Sequence, residues 1–116
     1  MEIRELTEAD IGLLVEFYAD FALSEDEKDR ERKIFQKDIK SALKTNHMLI
    51  ALENERIVGF LWAHIHTDSS KKKVDKVKML LISPERFGEG IGGELVEAER
   101  EFAKKEGVSL MDIDIR

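Results

Sequence analysis

The sequence predicts an α/β fold: a mixed sheet with helices on both faces, in the element order β-α-α-β-β-β-α-β. Three observations predict it. Two apolar segments, Met48–Leu52 and Ile57–Ile65, flank a short turn at Asn54-Glu55 and read as a hairpin. An apolar run, Val77 to Ile82, empties through a glycine-rich turn into a helical pattern from Ile91 to Ala103. Beyond Gly107, Val108–Ile115 alternates as a strand does, so a strand–helix–strand unit closes the order with a parallel pair by a right-handed crossover.

The elements follow in order. Glu2–Leu6 reads as a short strand. Thr7, with Asp10 three residues on, forms a capping box. Ile11, Leu14, Val15 and Tyr18 then recur at helical spacing, which predicts a first helix running to about Ala22. Leu13, Phe17 and Phe21 make a second apolar row, so cover on more than one side is expected. Ser24 with Glu27 is a second capping box, followed by a charged stretch from Glu25 to Lys33 that reads as an exposed helix face. Phe35, Ile39, Ala42 and Leu43 supply that helix's core stripe. After the hairpin comes a polar loop, Thr67 to Lys73; Lys71-Lys72-Lys73 with Lys76 and Lys78 form a basic cluster that could touch an anion or nucleic acid, with a solvated loop as the plainer reading. Val74–Ser83 is a further long strand, stopped by Pro84. On the next helix Ile91, Leu95, Ala98 and Phe102 share a face, and Gly107 ends it.

At 116 residues the chain suits a single domain, 1–116, with a real core. It carries 42% hydrophobic and 38% charged residues, with a formal net charge of −6, which argues against a general nucleic-acid partner. Its apolar runs are too short to span a membrane, and its N-terminus lacks a signal pattern, so a cytoplasmic location is expected. With no cysteine there is no disulfide, thiolate metal site or cysteine nucleophile. His64 and His66, two residues apart, make a poor zinc site, and no metal is expected.

The segment Ile82 to Gly93 holds four of the seven glycines and the only proline. A strand that turns through glycines into a helix directs free backbone N–H groups at the positive end of the helix, an arrangement that suits a phosphate or pyrophosphate. Two places on the strands offer a proton acceptor should the chemistry need one. Asp75 is one candidate, with a solvated strand-end aspartate as the plainer reading. His64 or His66, on one face with Phe60 and Trp62, is the other, against the plainer reading of surface or sheet-packed histidines.

The element order, with Ile57-Val58-Gly59-Phe60, Leu80-Leu81-Ile82-Ser83-Pro84 and Gly88-Glu89-Gly90-Ile91-Gly92 in their places, resembles the GCN5-related N-acetyltransferase superfamily over the whole chain. The resemblance implies an acyl-CoA N-acyltransferase-like fold and acetyl-CoA as co-substrate. It implies acetyl transfer to a primary amine, on a small molecule or a protein, by direct attack in a ternary complex. The alternative is a non-catalytic module of the same fold that binds acetyl-CoA or another protein. Leu80, Leu81 and Ile82 would then bond the pantetheine arm, and the Leu80 N–H would meet the developing oxyanion. Amides of Phe87, Gly88, Glu89, Gly90, Ile91, Gly92 and Gly93 would hold the pyrophosphate. Two positions depart from the family pattern: Phe87 stands where Gln or Arg is usual, and Glu89 where a basic residue is frequent. Family members also continue past the fifth strand with a helix and two strands, the helix often bearing a tyrosine that protonates the thiolate. Here the sequence stops at Arg116, so an open last strand and pairing with a second copy are expected.

Overall fold

The computed structural model describes residues 1–21 and 24–113. It contains β1 (Glu2–Glu5), α1 (Ile11–Ala19), α2 (Glu25–Ala42), β2 (His47–Glu53), β3 (Arg56–Thr67), β4 (Lys73–Ile82), α3 (Ile91–Lys105) and β5 (Leu110–Ile113). The sheet runs in the order β1-β2-β3-β4-β5. Its first three pairings are antiparallel and the last, β4 with β5, is parallel. The expected mixed sheet is therefore present.

Alternation sorts the side chains between two layers. Leu14, Phe35, Ile39, Ile50 and Phe60 form a core between the sheet and α1–α2. Leu49, Leu61, Val77, Ile91 and Leu95 form another beneath α3. Gly59 lies at the α3 contact, where an added Cβ would sit 2.9 Å from Ile91 Cγ2 and Leu95 Cδ1. Only glycine lets β3 and α3 approach that closely.

Several boundaries differ from expectation. The first helix ends at Ala19, and the expected endpoint, Ala22, lies outside the described residues. Its second apolar row is covered only in part: Phe17 is half-buried against the core, whereas Leu13 is 56% exposed and Phe21 37%. Phe17 and Phe21 stack edge to face at 5.4 Å. Asp10 accepts from the Thr7 N–H at 2.8 Å and pairs with Arg4, which holds its carboxyl well below the usual carboxylate range. The charged start of α2 is tied to α1 by Arg32–Glu16 at 2.9 Å and by the Tyr18 hydroxyl donating to Glu31 at 3.1 Å. Asp114 and Ile115 of the expected last strand lie outside the described residues.

One irregularity shapes β4. Trp62 faces Met79 but Ala63 faces Val77, so Lys78 is an extra residue without a partner on β3. Such a β-bulge bends and twists the strand that carries it. Below it β4 pairs on both sides; above it, Lys78–Ile82 has no β5 neighbour among the described residues.

Candidate active site

The backbone of β4 above the bulge has a definite polarity. The Ser83 N–H donates to the Val58 carbonyl at 2.9 Å. In an antiparallel ladder, hydrogen-bonded and non-hydrogen-bonded pairs alternate. Counting back from Ser83 through the register of Ile82 with Gly59 and Leu81 with Phe60, Leu81 turns its N–H and C=O toward β3. Leu80 and Ile82 turn theirs to the opposite edge, which has no strand partner among the described residues. Of the three residues expected to bond an extended ligand through the backbone, two thus offer their polar groups and Leu81 does not. The side chains of Leu80 and Ile82 lie against the start of α3: a Cβ on Gly92 would be 3.6 Å from Leu80 Cδ2 and 3.8 Å from Ile82 Cδ1.

The turn between β4 and α3 begins as a 3-10 turn over Pro84–Arg86. Gly88 and Gly90 both take φ +85°, a backbone that side-chain-bearing residues rarely adopt, and Gly90 is the N-cap of α3. The Phe87 N–H donates to Pro84 and the Glu89 N–H to Arg86, so these two amides are used within the turn. The first helical bond is Glu94 N–H to Gly90 C=O. Among the described residues, the N–H groups of Gly88, Gly90, Ile91, Gly92 and Gly93 have no backbone acceptor. Five unspent donors thus cluster at the positive end of a fifteen-residue helix. An open groove of about 1000 Å³ joins Leu80, Gly90, Gly92 and Gly93, with Ile3 and Val96 as apolar walls.

The two departures from the family pattern acquire a physical reading. Glu89 does not stand as a bare charge in the turn, because Arg86 pairs with it at 2.9 Å and with Glu53 at 2.5 Å. Phe87 points to solvent, 67% exposed.

The candidate proton acceptors separate to opposite faces of the sheet. Asp75 is not a solvated strand-end residue: it is fully buried on the α3 face. There it meets Glu99, which is also fully buried. Neither oxygen of Asp75, nor Oε2 of Glu99, has a donor among the described groups. A proton on one carboxyl, hydrogen-bonded to the other, satisfies both. Accordingly burial, then the hydrogen bond to Glu99 and its charge, push Asp75 up to about 8. Glu99 Oε1 lies 2.5 Å from His47 Nδ1, and His47 Nε2 lies 3.0 Å from Glu5. The His47 ring stacks on Phe102 at 3.5 Å. Burial opposes a charge on His47, but the hydrogen bonds and charges of Glu99 and Glu5 outweigh it and raise its pKa. Sequence reasoning passed over His47 and Glu99. The signal was the spacing Ile91, Leu95, Glu99, Ala103, which puts Glu99 in the buried stripe of α3.

His64 lies on the other face, half-buried, directly opposite Lys76 and stacked with His66 at 6.4 Å. Burial, then the charges of Lys78 and His66, lower its pKa, favouring the neutral ring that can accept a proton. Trp62 continues the row, its indole N–H donating to Asn46 at 2.9 Å and its ring 5.6 Å from the Lys78 ammonium.

Comparison with known proteins places this geometry. Residues 12–116 match the model of the acetyltransferase (GNAT) family. No curated protein matches the chain by sequence. Among solved structures, the fold is similar to an aminoglycoside antibiotic 6'-N-acetyltransferase from Acinetobacter haemolyticus, with TM-score 0.81, 16% identity, and 98% of this chain and 79% of that one covered. It is similar to a ribosomal-protein-alanine N-acetyltransferase from Brucella melitensis biovar Abortus 2308, with TM-score 0.81, 16% identity, and 99% and 80% covered. A transcriptional regulator from Bacillus halodurans C-125 aligns at TM-score 0.73 with 27% identity, covering 97% and 80%.

Proposed function

The chain belongs to the acetyltransferase (GNAT) family, and from that premise we propose that it transfers acetyl from acetyl-CoA to a primary amine by direct attack in a ternary complex. The observation that carries the reading is the set of five unspent N–H groups from Gly88 to Gly93 beside the β4 edge that has no partner among the described residues. The fit to a pyrophosphate rests on backbone donors and the attractive helix dipole; Glu89 in the turn is already paired with Arg86, while Glu94 and Glu97 line the same groove as opposing charges.

The residues of this chain divide the chemistry. The outward backbone of Leu80 and Ile82 can hold an extended arm as an added strand does. The Leu80 N–H is placed to donate to the carbonyl oxygen as it gains charge, a pre-set contact of the kind that often supplies the largest catalytic term. His64 takes the proton that the amine must lose. The C–N bond forms as the C–S bond breaks, and CoA leaves as the thiolate, which takes its proton from solvent.

A test is calorimetric titration with acetyl-CoA, followed by thiol release in the presence of an amine panel. Saturable binding with turnover supports the reading; no binding at millimolar ligand overturns it. A second reading, a non-catalytic acetyl-CoA-binding or protein-interaction module, is favoured by the sealing of Asp75 from solvent and by the likeness to a protein described as a transcriptional regulator. It expects binding without turnover on any amine. The outer edge of β5, with Leu110 46% and Ile113 42% exposed, offers a second copy a strand to pair with. Light scattering that finds only monomer removes that part.

A further inference from the structure

The face of the sheet that carries His64 has a charge unlike the rest of the molecule. The chain has 25 acidic and 19 basic residues. Yet Lys76 and Lys78 stand on this face beside His64 and His66, and none of these four is ion-paired among the described residues. The acid next in sequence, Asp75, is turned to the far side of the sheet. Asp112, beside Lys76 in the β5 register, forms no ion pair with it. Asp68, in the following loop, is occupied by Ser70 and the Lys72 N–H. The bulge turns Lys78 outward, over Trp62 and two residues below Leu80. An amine approaching the Leu80 edge past His64 therefore passes two ammonium groups that form no ion pair among the described residues.

We infer that the acceptor is a small amine that also carries an anionic group, a carboxylate or a phosphate, received by Lys76 and Lys78 while its amine reaches His64. The inference rests on the acetyl-transfer reading for its chemistry, but not for its ligand contact. Polycations are disfavoured here, because like charges brought together repel. The depressed pKa of His64, due in part to Lys78, reports the same positive field.

Trp62 is the only tryptophan of the chain, so its emission reports on Lys78 without labelling. The protein is titrated at low ionic strength with β-alanine, O-phosphoethanolamine, ethanolamine and spermidine. A saturable change with β-alanine or O-phosphoethanolamine, and none with ethanolamine or spermidine, is expected; the stronger of the first two identifies the anion. Replacing both lysines (Lys76→Gln with Lys78→Gln) should abolish the response, and Lys78→Arg alone should keep it. In turnover, kcat/KM for the responding anionic amine should exceed that for ethanolamine by roughly tenfold or more, the scale of one well-placed charge contact. No response to either anion at tens of millimolar, an equal response to ethanolamine, or a preference that survives the double replacement overturns the inference. Acetyl-CoA calorimetry on the same samples separates the two claims: lost acetyl-CoA binding with an intact anion response overturns only acetyl transfer.

Discussion

Asp75 and Lys76 are neighbours in the chain and inhabit two different chemistries. On the α3 face, Asp75 and Glu99 are closed under the helix, and Glu99 is bonded to His47. On the other face, Lys76, Lys78, His64 and His66 form no ion pair among the described residues. The same residue types thus do opposite things. Sealed groups tie β2, α3 and β4 together, whereas open ones remain available to a ligand. The contrast also explains why the nearer carboxylate is not the proton acceptor favoured here. Asp75 has no path to an incoming amine, and its proton is committed to Glu99.

The comparison breaks most visibly through the sealed cluster. Glu99→Ala should destabilise the fold by about 3–5 kcal/mol in urea unfolding, since it strands the buried His47 and Asp75 together. His64→Gln should leave stability within about 0.5 kcal/mol, because it lies outside either core. A large loss from His64→Gln, or none from Glu99→Ala, would reverse the assignment of the two clusters. The next largest effect is on turnover: His64→Gln should lower kcat by about a hundredfold or more, the lower end for a lost general base, with acetyl-CoA affinity unchanged. Full activity in that variant would move proton transfer to water or another group.

A smaller effect sharpens the contrast through pH. Asp75 is pushed up to about 8 in the folded protein from an ordinary value of 3.8, and His47 is raised as well. Both groups bind protons more tightly folded than unfolded, so their contribution is fully present at low pH and is lost as pH rises. Stability should decline from near pH 4 through about pH 8. Asp10 works in the opposite sense, with its pKa depressed by Arg4, but its contribution is lost only as pH falls below its unfolded value of 3.8. Asp75→Asn should flatten the decline; an unchanged slope would show that the carboxyl pair does not share a proton.

Much of this architecture is legible in the chain. The hairpin, the stripe of α2 and the glycine turn are local patterns, and local patterns survive folding. The positions of Asn54 and Glu55, both at positive φ, are those of the expected turn. What escaped is what depends on partners distant in sequence. Glu99 reads as one of several helix acids until His47, fifty-two positions away, is brought against it. Asp75 reads as a strand end until α3 covers it. The bulge at Lys78 left one trace, a single charge between Val77 and the continuous apolar run Met79–Ile82. That trace is equally what a strand entering a core would show. The orientation of Leu81 toward β3 follows from register, which the sequence leaves free by one residue.

The account depends above all on the glycine turn being a cradle for acetyl-CoA. Gly90 faces open space, with nothing within 4 Å of an added Cβ, so a side chain there need not disturb the core, although its φ of +85° makes any such residue locally strained. Calorimetry with acetyl-CoA on the parent protein and on Gly90→Glu, with circular dichroism to establish that both are folded, is the most direct measurement. Saturable binding by the parent and its loss in the folded variant is the predicted result. Equal affinity in both, or no binding by either at millimolar ligand, would contradict it.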